Sequence, residues 1–254
     1  REGAGELTQT VWLIDWHNPE ENDFAVAEEV SIKGELKKRP DVVLYVNGIA
    51  LAVLELKRSS VDLAEGIRQN YGNQQKAFIR NFFTTMQLVL AGNDTQGLRY
   101  GTIETPEKYY LTWKEENPHY LPETDDRKKR YLPSAPCPPA SSLLDCALLR
   151  LVNKKRFLEL IHDFIVFDMG VKKVPRHNQY FGVRSAQSFI ERCEGGIIWH
   201  TQGSGKSLTM VWLAKWIREN VTDARVLIIT DRTELDQQIE GVFVGVDEII
   251  YRTK

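Results

Sequence analysis

Apolar residues alternate with polar ones through the first part of the chain, and the alternation predicts strands. Val11 to Trp16, Phe24 to Ile32, Val42 to Val46 and Ile49 to Leu56 all carry it, because a period of two turns one face of a short segment toward a core. Between Asn117 and Ser142 the pattern stops. Most of the ten prolines gather there among many charges, which predicts a loop or insertion. From Leu143 to Phe167 the spacing lengthens to that of a helix, with Leu148, Leu151, Phe157, Leu160, Ile161 and Phe164 at helical intervals. From Gly195 the order becomes strand (Gly196 to His200), glycine loop, helix (Lys206 to Asn220) and strand (Arg225 to Thr230). That is one βαβ unit, which needs a parallel sheet. No repeat at a fixed period is present. The expected fold is α/β in two parts: residues 1–153, an α+β domain with a mixed central sheet and an insertion at about 117–142, and residues 154–254, the first part of a parallel α/β domain.

The first candidate chemistry lies in the segment Arg39 to Lys57, two apolar runs around Asn47-Gly48, a hairpin signal. A strict two-residue turn would pair Asp41 with Leu54 and send Glu55 to the other face. A three-residue turn with a glycine bulge would set Asp41 across from Glu55, and this bulged register is the one expected. Asp41, Glu55 and Lys57 then share a face at one end of the hairpin. Two carboxylates so placed can hold Mg²⁺, or Mn²⁺ in its stead, which polarises a phosphodiester and lowers the pKa of bound water. Lys57 can steer that water or stabilise charge in the transition state. By spacing alone, an edge salt bridge fits as well.

The second candidate is the run His200-Thr201-Gln202-Gly203-Ser204-Gly205-Lys206-Ser207. A glycine-rich turn between a buried strand and a helix aims backbone N–H groups and the positive helix end at one point, as a polyphosphate requires. Thr201, Gln202, Gly203, Ser204 and Gly205 would line that cradle for ATP. Lys206 would reach its terminal phosphates and Ser207 would hold Mg²⁺. His200 stands where the strict pattern has glycine.

Composition narrows the picture only a little. A formal charge of -2 over 254 residues exerts no global pull on nucleic acid, so any such contact rests on local clusters, Lys37-Lys38-Arg39 and Arg127-Lys128-Lys129-Arg130. Short charge runs are more often solvated faces. Cys137, Cys146 and Cys193 have no CxxC spacing and suggest no disulfide framework, which fits a reducing cytoplasm. No run reaches the roughly 18 apolar residues of a membrane span, and no apolar signal core opens the chain. The absence of an initial Met and the close of the chain soon after a strand-like run suggest a piece of something longer. The five histidines share no metal-ligand spacing, and Trp12, Trp16 and Trp113 are expected in the core rather than on bases.

Pro40-Asp41 followed by Glu55-Leu56-Lys57 within apolar strands resembles the PD-(D/E)xK nucleases. Thr230-Asp231-Arg232-Thr233-Glu234-Leu235 resembles the first nucleic-acid motif of superfamily 2 motors, and Arg176 to Phe181 resembles their adenine-facing segment. Together with the glycine loop, these stretches look like the restriction subunit of type I restriction-modification enzymes. The resemblance implies a bacterial or archaeal, ATP-dependent endonuclease of double-stranded DNA, with a nuclease domain ahead of a RecA-like motor and with methyltransferase and specificity subunits as partners. It also implies that Gln69 supports the nuclease site and that Gln179 meets adenine, whose edge an amide matches as donor and acceptor. Where the family's Gln-x-x-x-Tyr segment ends in tyrosine this chain has Asn73, with Tyr71 two places early. A repair helicase-nuclease shares the same motifs. A nucleotide-regulated DNA-binding module without cleavage would leave the hairpin carboxylates structural, whereas a P-loop kinase or transport ATPase fits neither the leading domain nor Asp231-Arg232-Thr233.

Overall fold

A computed structural model describes residues 11–115, 137–138, 141–246, 248–249 and 251. Five strands form one mixed sheet in sequence order: β1 (Phe24–Glu28), β2 (Val42–Val46), β3 (Ile49–Leu56), β4 (Leu88–Asn93) and β5 (Gly97–Gly101). Only β3 and β4 run parallel, and the helix α1 (Leu63–Asn73) lies in the crossover between them. Because β3 and β4 are covered on both faces they read as nearly continuous apolar runs, IALAVL and LVLAGN. One face packs Val43, Val53 and Val89 against Ile79, Phe83 and Met86, and next to it Ala91 packs against Leu63 and Ile67 of α1.

The hairpin joining β2 and β3 reaches the expected register by another route. Asn47 and Gly48 have φ of 50° and 78°, and Val46 pairs directly with Ile49, so the turn holds two residues and carries no bulge. The extra residue lies inside β3: Tyr45 pairs with Ala50 but Leu44 with Ala52, which leaves Leu51 as the bulge. The shift brings Val42 opposite Leu54, and the next step places Asp41 opposite Glu55.

The other face of the sheet is covered by later parts of the chain. Helices α2 (Leu143–Leu151) and α3 (Lys154–Glu159), a π-turn at Leu160–Phe164, α4 (His177–Glu191) and α5 (Lys206–Asn220) add Leu151, Phe157, Phe164, Tyr180 and Trp212 to a cluster that includes Leu54, Leu90 and Tyr100. Helix α6 (Thr233–Gly245) packs Ile239 and Phe243 on Val211 and Ala214. The apolar core thus runs through the expected boundary at residues 153 and 154. Hydrogen bonds cross it too. The Tyr100 hydroxyl donates to the Pro175 carbonyl at 2.8 Å, and Lys172, in the hairpin β6 (Val166–Asp168) and β7 (Val171–Lys173), donates to Met86 O at 3.0 Å.

Several expected strands are absent. Residues 11–16 make bends and no ladder, with Val11, Trp12 and Leu13 exposed, so Trp12 is not core, whereas Trp113 is buried. The strand expected from Phe24 to Ile32 stops at Glu28, since Glu29 turns to φ 51°. Residues 196–200 and 225–230 form no strand and join no ladder among the described residues, and Trp199 is 90% exposed. A parallel strand depends on neighbours for its hydrogen bonds, and none pairs with these among the described residues. Cys137 and Cys146 are joined as a disulfide, against the expectation from their spacing, while Cys193 is free and exposed. The basic run at 127–130 and most of the proline-rich stretch lie outside the described residues. No described helix is long and apolar enough to cross a membrane.

Where the two halves meet, Arg156 of α3 is buried against Glu115, Nη1 to Oε2 at 2.8 Å, with its guanidinium 5.5 Å from the ring centres of Trp113 and Tyr180. Removing one member of a buried pair strands the other's charge. Glu115→Ala is therefore expected to destabilise the fold by about 3–5 kcal/mol, read as a fall in the urea midpoint.

Candidate active site and nucleotide loop

Alternation along β3 places Glu55 on the α1 face with Val53, and Lys57, just past the strand, follows on the same side. Asp41 precedes β2 on that face. Its Oδ2 accepts from the Leu56 backbone N–H at 2.7 Å, which ties the two strands together at the site. Lys57 Nζ donates to Glu55 Oε1 at 2.8 Å and to Gln69 Oε1 at 2.8 Å. Helix α1 supplies Gln69 and is held in place at both ends. Asp62 caps its start through the Ala64 N–H, and the buried Asn70 donates Nδ2 to the Leu90 carbonyl of β4 at 2.8 Å. Gly66 keeps the helix close: a Cβ there would lie 3.4 Å from Lys57 Cγ and 3.6 Å from Glu55 Cγ.

Glu55 is 1% exposed, and its Oε2 has no hydrogen-bond partner among the described residues. Burial pushes its carboxyl above the usual range. The Lys57 hydrogen bond pulls it back, and the nearby Asp41 charge pushes it up again. The four expected residues Asp41, Glu55, Lys57 and Gln69 therefore meet at one place. Asn73 does not take the part of a tyrosine, being buried with its carbonyl accepting from Ile79 N, and Tyr71 is partly exposed. Gly66 and Asn70 escaped the sequence reading, although both lie on the buried side of α1, three and four residues from Leu63 and Gly66 respectively.

The glycine loop leads into α5 as expected. Gly203 and Gly205 adopt φ of 74° and 85°, and Gly205 caps the helix. Lys206 bends back so that Nζ donates to the His200 and Thr201 carbonyls at 3.1 and 3.0 Å. Thr201, Gln202 and Gly203 are exposed, Ser207 is half-buried, and the buried Ser204 hydroxyl has no partner among the described residues. Gln179 lies beside the loop, but both ends of its amide are occupied: Oε1 accepts from Arg176 N at 2.8 Å, and Nε2 donates to Gly205 O at 2.9 Å. A Cβ at position 205 would lie 2.3 Å from that Nε2, so only glycine admits the contact. Arg176 Nη1 also donates to Gly203 O at 3.2 Å. No group of three or more His, Cys, Asp or Glu side chains suited to a metal exists among the described residues, so any ion here would rest on the two carboxylates and non-carboxylate donors.

The architecture is that of an α/β protein with a mixed sheet, a carboxylate pair at one end of its inner strands and a glycine loop elsewhere. Residues 1–108 match the family described as type I restriction enzyme R protein N terminus, and residues 178–253 match SWI2/SNF2 ATPase. The putative type I restriction enzyme MjaIXP endonuclease subunit of Methanocaldococcus jannaschii is 26% identical, with 97% of this chain and 25% of that protein covered. The HindI endonuclease subunit of Haemophilus influenzae is 26% identical over 96% of this chain and 24% of its own length. A Staphylococcus saprophyticus endonuclease subunit, SsaAORF53P, is 24% identical over 88% of this chain and 22% of its own. By these matches residues 1–108 are similar to the N terminus of type I restriction enzyme R proteins, and the chain spans about a quarter of the length of the curated relatives it matches.

An acid whose pKa is raised by folding is more stable, relative to the unfolded chain, when protonated. Its cost therefore appears as the pH rises through the raised value. In EDTA, the melting temperature of the wild type is expected to fall relative to Glu55→Gln as the pH rises from about 4.5 through the elevated Glu55 range, and thermal melts at acid and at neutral pH check the sign.

Proposed function

We propose that the α1 face of the sheet is a metal-dependent centre for cutting double-stranded DNA, and that the glycine loop binds ATP. One observation carries the first part: Glu55 is buried with one oxygen committed to Lys57 and the other, Oε2, unmatched, beside an Asp41 whose Oδ1 is not tied to the backbone. A buried carboxylate oxygen without a donor is costly unless a cation answers it. Asp41 and Glu55 would hold Mg²⁺, or Mn²⁺ in its place. A bound ion of this kind supplies a polarised phosphodiester oxygen and a water of lowered pKa.

The chain's own residues do the rest. Gln69 fixes the Lys57 ammonium, and Glu55 neutralises it, so Lys57 stands poised to donate to a water or to a phosphate oxygen as negative charge builds. Asp41 is oriented by the Leu56 N–H, which leaves its second oxygen for a ligand. At the loop, Lys206 would exchange its two backbone carbonyls for terminal phosphates, with Ser207 toward Mg²⁺ and residues 201–205 as the cradle. Gln179 would read adenine only after releasing Gly205 O or Arg176 N, and a second role, as the brace of the loop, is supported by both contacts. In the longer protein, ATP turnover would drive DNA translocation. Methyltransferase and specificity subunits would select the DNA, in the cytoplasm of the cell.

Metal-dependent nicking of supercoiled plasmid in Mg²⁺ or Mn²⁺ is expected from the wild type, with at least about a hundredfold loss in Glu55→Ala and Lys57→Ala. Equal nicking by all three proteins would overturn the assignment. For the loop, Lys206→Ala is expected to lose binding of a fluorescent ATP analogue. Gln179→Ala separates the two roles by competition: weaker binding of ATP and GTP alike marks the brace, whereas loss of the preference for ATP marks the adenine contact.

A further inference from the structure

We propose that residues 33–39 form a phosphate-gripping arm that holds duplex DNA against the carboxylate site. This inference rests on the nuclease reading above and adds the surface by which its substrate is held.

The arm's position follows from topology. The β2–β3 turn closes one end of the sheet, so Asp41, Glu55 and Lys57 lie at the other, and the connection from β1 to β2 must pass over that same end. Two further bonds tie its base to the site: Glu29 N donates to Asp41 O at 2.8 Å, and Arg39 pairs with Glu29 at 3.1 Å. Lys38 stands three residues before Asp41, roughly 10 Å along an extended chain.

The arm is also held rigid, which surface loops need not be. Ile32 and Lys38 exchange both backbone hydrogen bonds, at 2.9 and 3.0 Å. Glu35 N donates to Phe78 O at 3.2 Å, and a Cβ on Gly34 would lie 2.0 Å from that same oxygen, so the tip is pressed onto the turn after α1. Lys38 Nζ rests 4.3 Å from the Phe78 ring centre.

Charge selects the partner. Lys33 and Lys37 are exposed and have no ion pair or hydrogen bond among the described residues, and neither does Lys76 on the turn the arm presses against. The neighbouring carboxylates Glu29 and Glu55 are already engaged by Arg39 and Lys57. Of the arm's four cations, Lys33, Lys37, Lys38 and Arg39, Glu29 pairs with Arg39 and the arm's own Glu35 offsets one more, which leaves a net excess of two. Leu36, 56% exposed at the tip between these lysines, is the apolar group that such an arm can set against sugars or a base step. A preorganised cationic loop beside a phosphodiester-cutting site fits a polyanionic backbone.

The test is anisotropy of this chain with two unrelated labelled duplexes of about 30 base pairs, in Ca²⁺ to suppress cutting, between about 50 and about 200 mM salt. The proteins are wild type, Lys33→Ala/Lys37→Ala and, as a control on the far face, Lys215→Ala. The arm variant is expected to weaken both duplexes equally and to lower the salt slope by about 0.9 per lost contact, roughly 2 in all, with Lys215→Ala like wild type. Unchanged affinity and slope in the arm variant, an equal loss in the Lys215→Ala control, or no duplex binding by the wild type each overturns the proposal. So does capture of an acidic protein in place of DNA. Plasmid nicking by the wild type against Glu55→Ala judges the nuclease reading separately, since a site that cuts and depends on Glu55 stands whether or not the arm grips.

Discussion

Taking a carboxylate out of water is costly, and Glu55 is buried on the second strand of the central hairpin. Much of the local architecture can be understood as the answer to that charge. Lys57 emerges two residues later on the same face to neutralise it, Gln69 holds the ammonium, and Asn70 anchors the helix that carries Gln69. Gly66 lets the helix lie close, since a Cβ there would meet Ala91 Cβ at 3.3 Å and touch Lys57 and Glu55. The bulge at Leu51 belongs to the same set of constraints. Without it the register would slip by one and Asp41 would face Leu54, leaving the two carboxylates on opposite sides of the sheet. What remains after these compensations is one unmatched oxygen, and that residue of uncompensated charge is where chemistry can enter.

Short-range features were the legible ones. Asn47-Gly48 announced the hairpin, and the alternation from Asp41 to Lys57 put three site residues on one face, because both signals are written within a few positions. The location of the bulge was not written there. It depends on how Leu51 packs beneath the strand, which only the assembled core decides. The same holds for residues 196–200 and 225–230, whose apolar alternation is real but whose status as strands depends on partners distant in sequence. Gln179 illustrates a third kind of gap. Its position beside the glycine loop was readable from a motif, yet the occupation of both amide ends by Arg176 and Gly205 is a property of the closed loop. The pairing of Cys137 with Cys146 was hidden for a similar reason, since spacing carries no information about how a proline-rich stretch returns to a helix.

The two candidate sites differ in how ready each is to work. At the sheet the side chains already converge, and binding an ion would ask little movement of Lys57 or Gln69. At the glycine loop the chain fills its own positions: Lys206 on two carbonyls, Gln179 on the backbone of Gly205, Arg176 on Gly203. A nucleotide there would have to displace these contacts, so part of its binding energy would go into opening the loop.

The hydrogen bonds from Tyr100 to Pro175 and from Lys172 to Met86 have a bearing on how such proteins can recombine. Each joins a residue on one side of position 153 to one on the other, and the apolar core continues between them. A hybrid gene spliced at that apparent border would import a sheet whose Tyr100 meets a foreign carbonyl and whose Met86 faces a foreign cation. Exchange of the leading part between related chains would therefore keep its junction beyond Pro175, so that both anchors are inherited together.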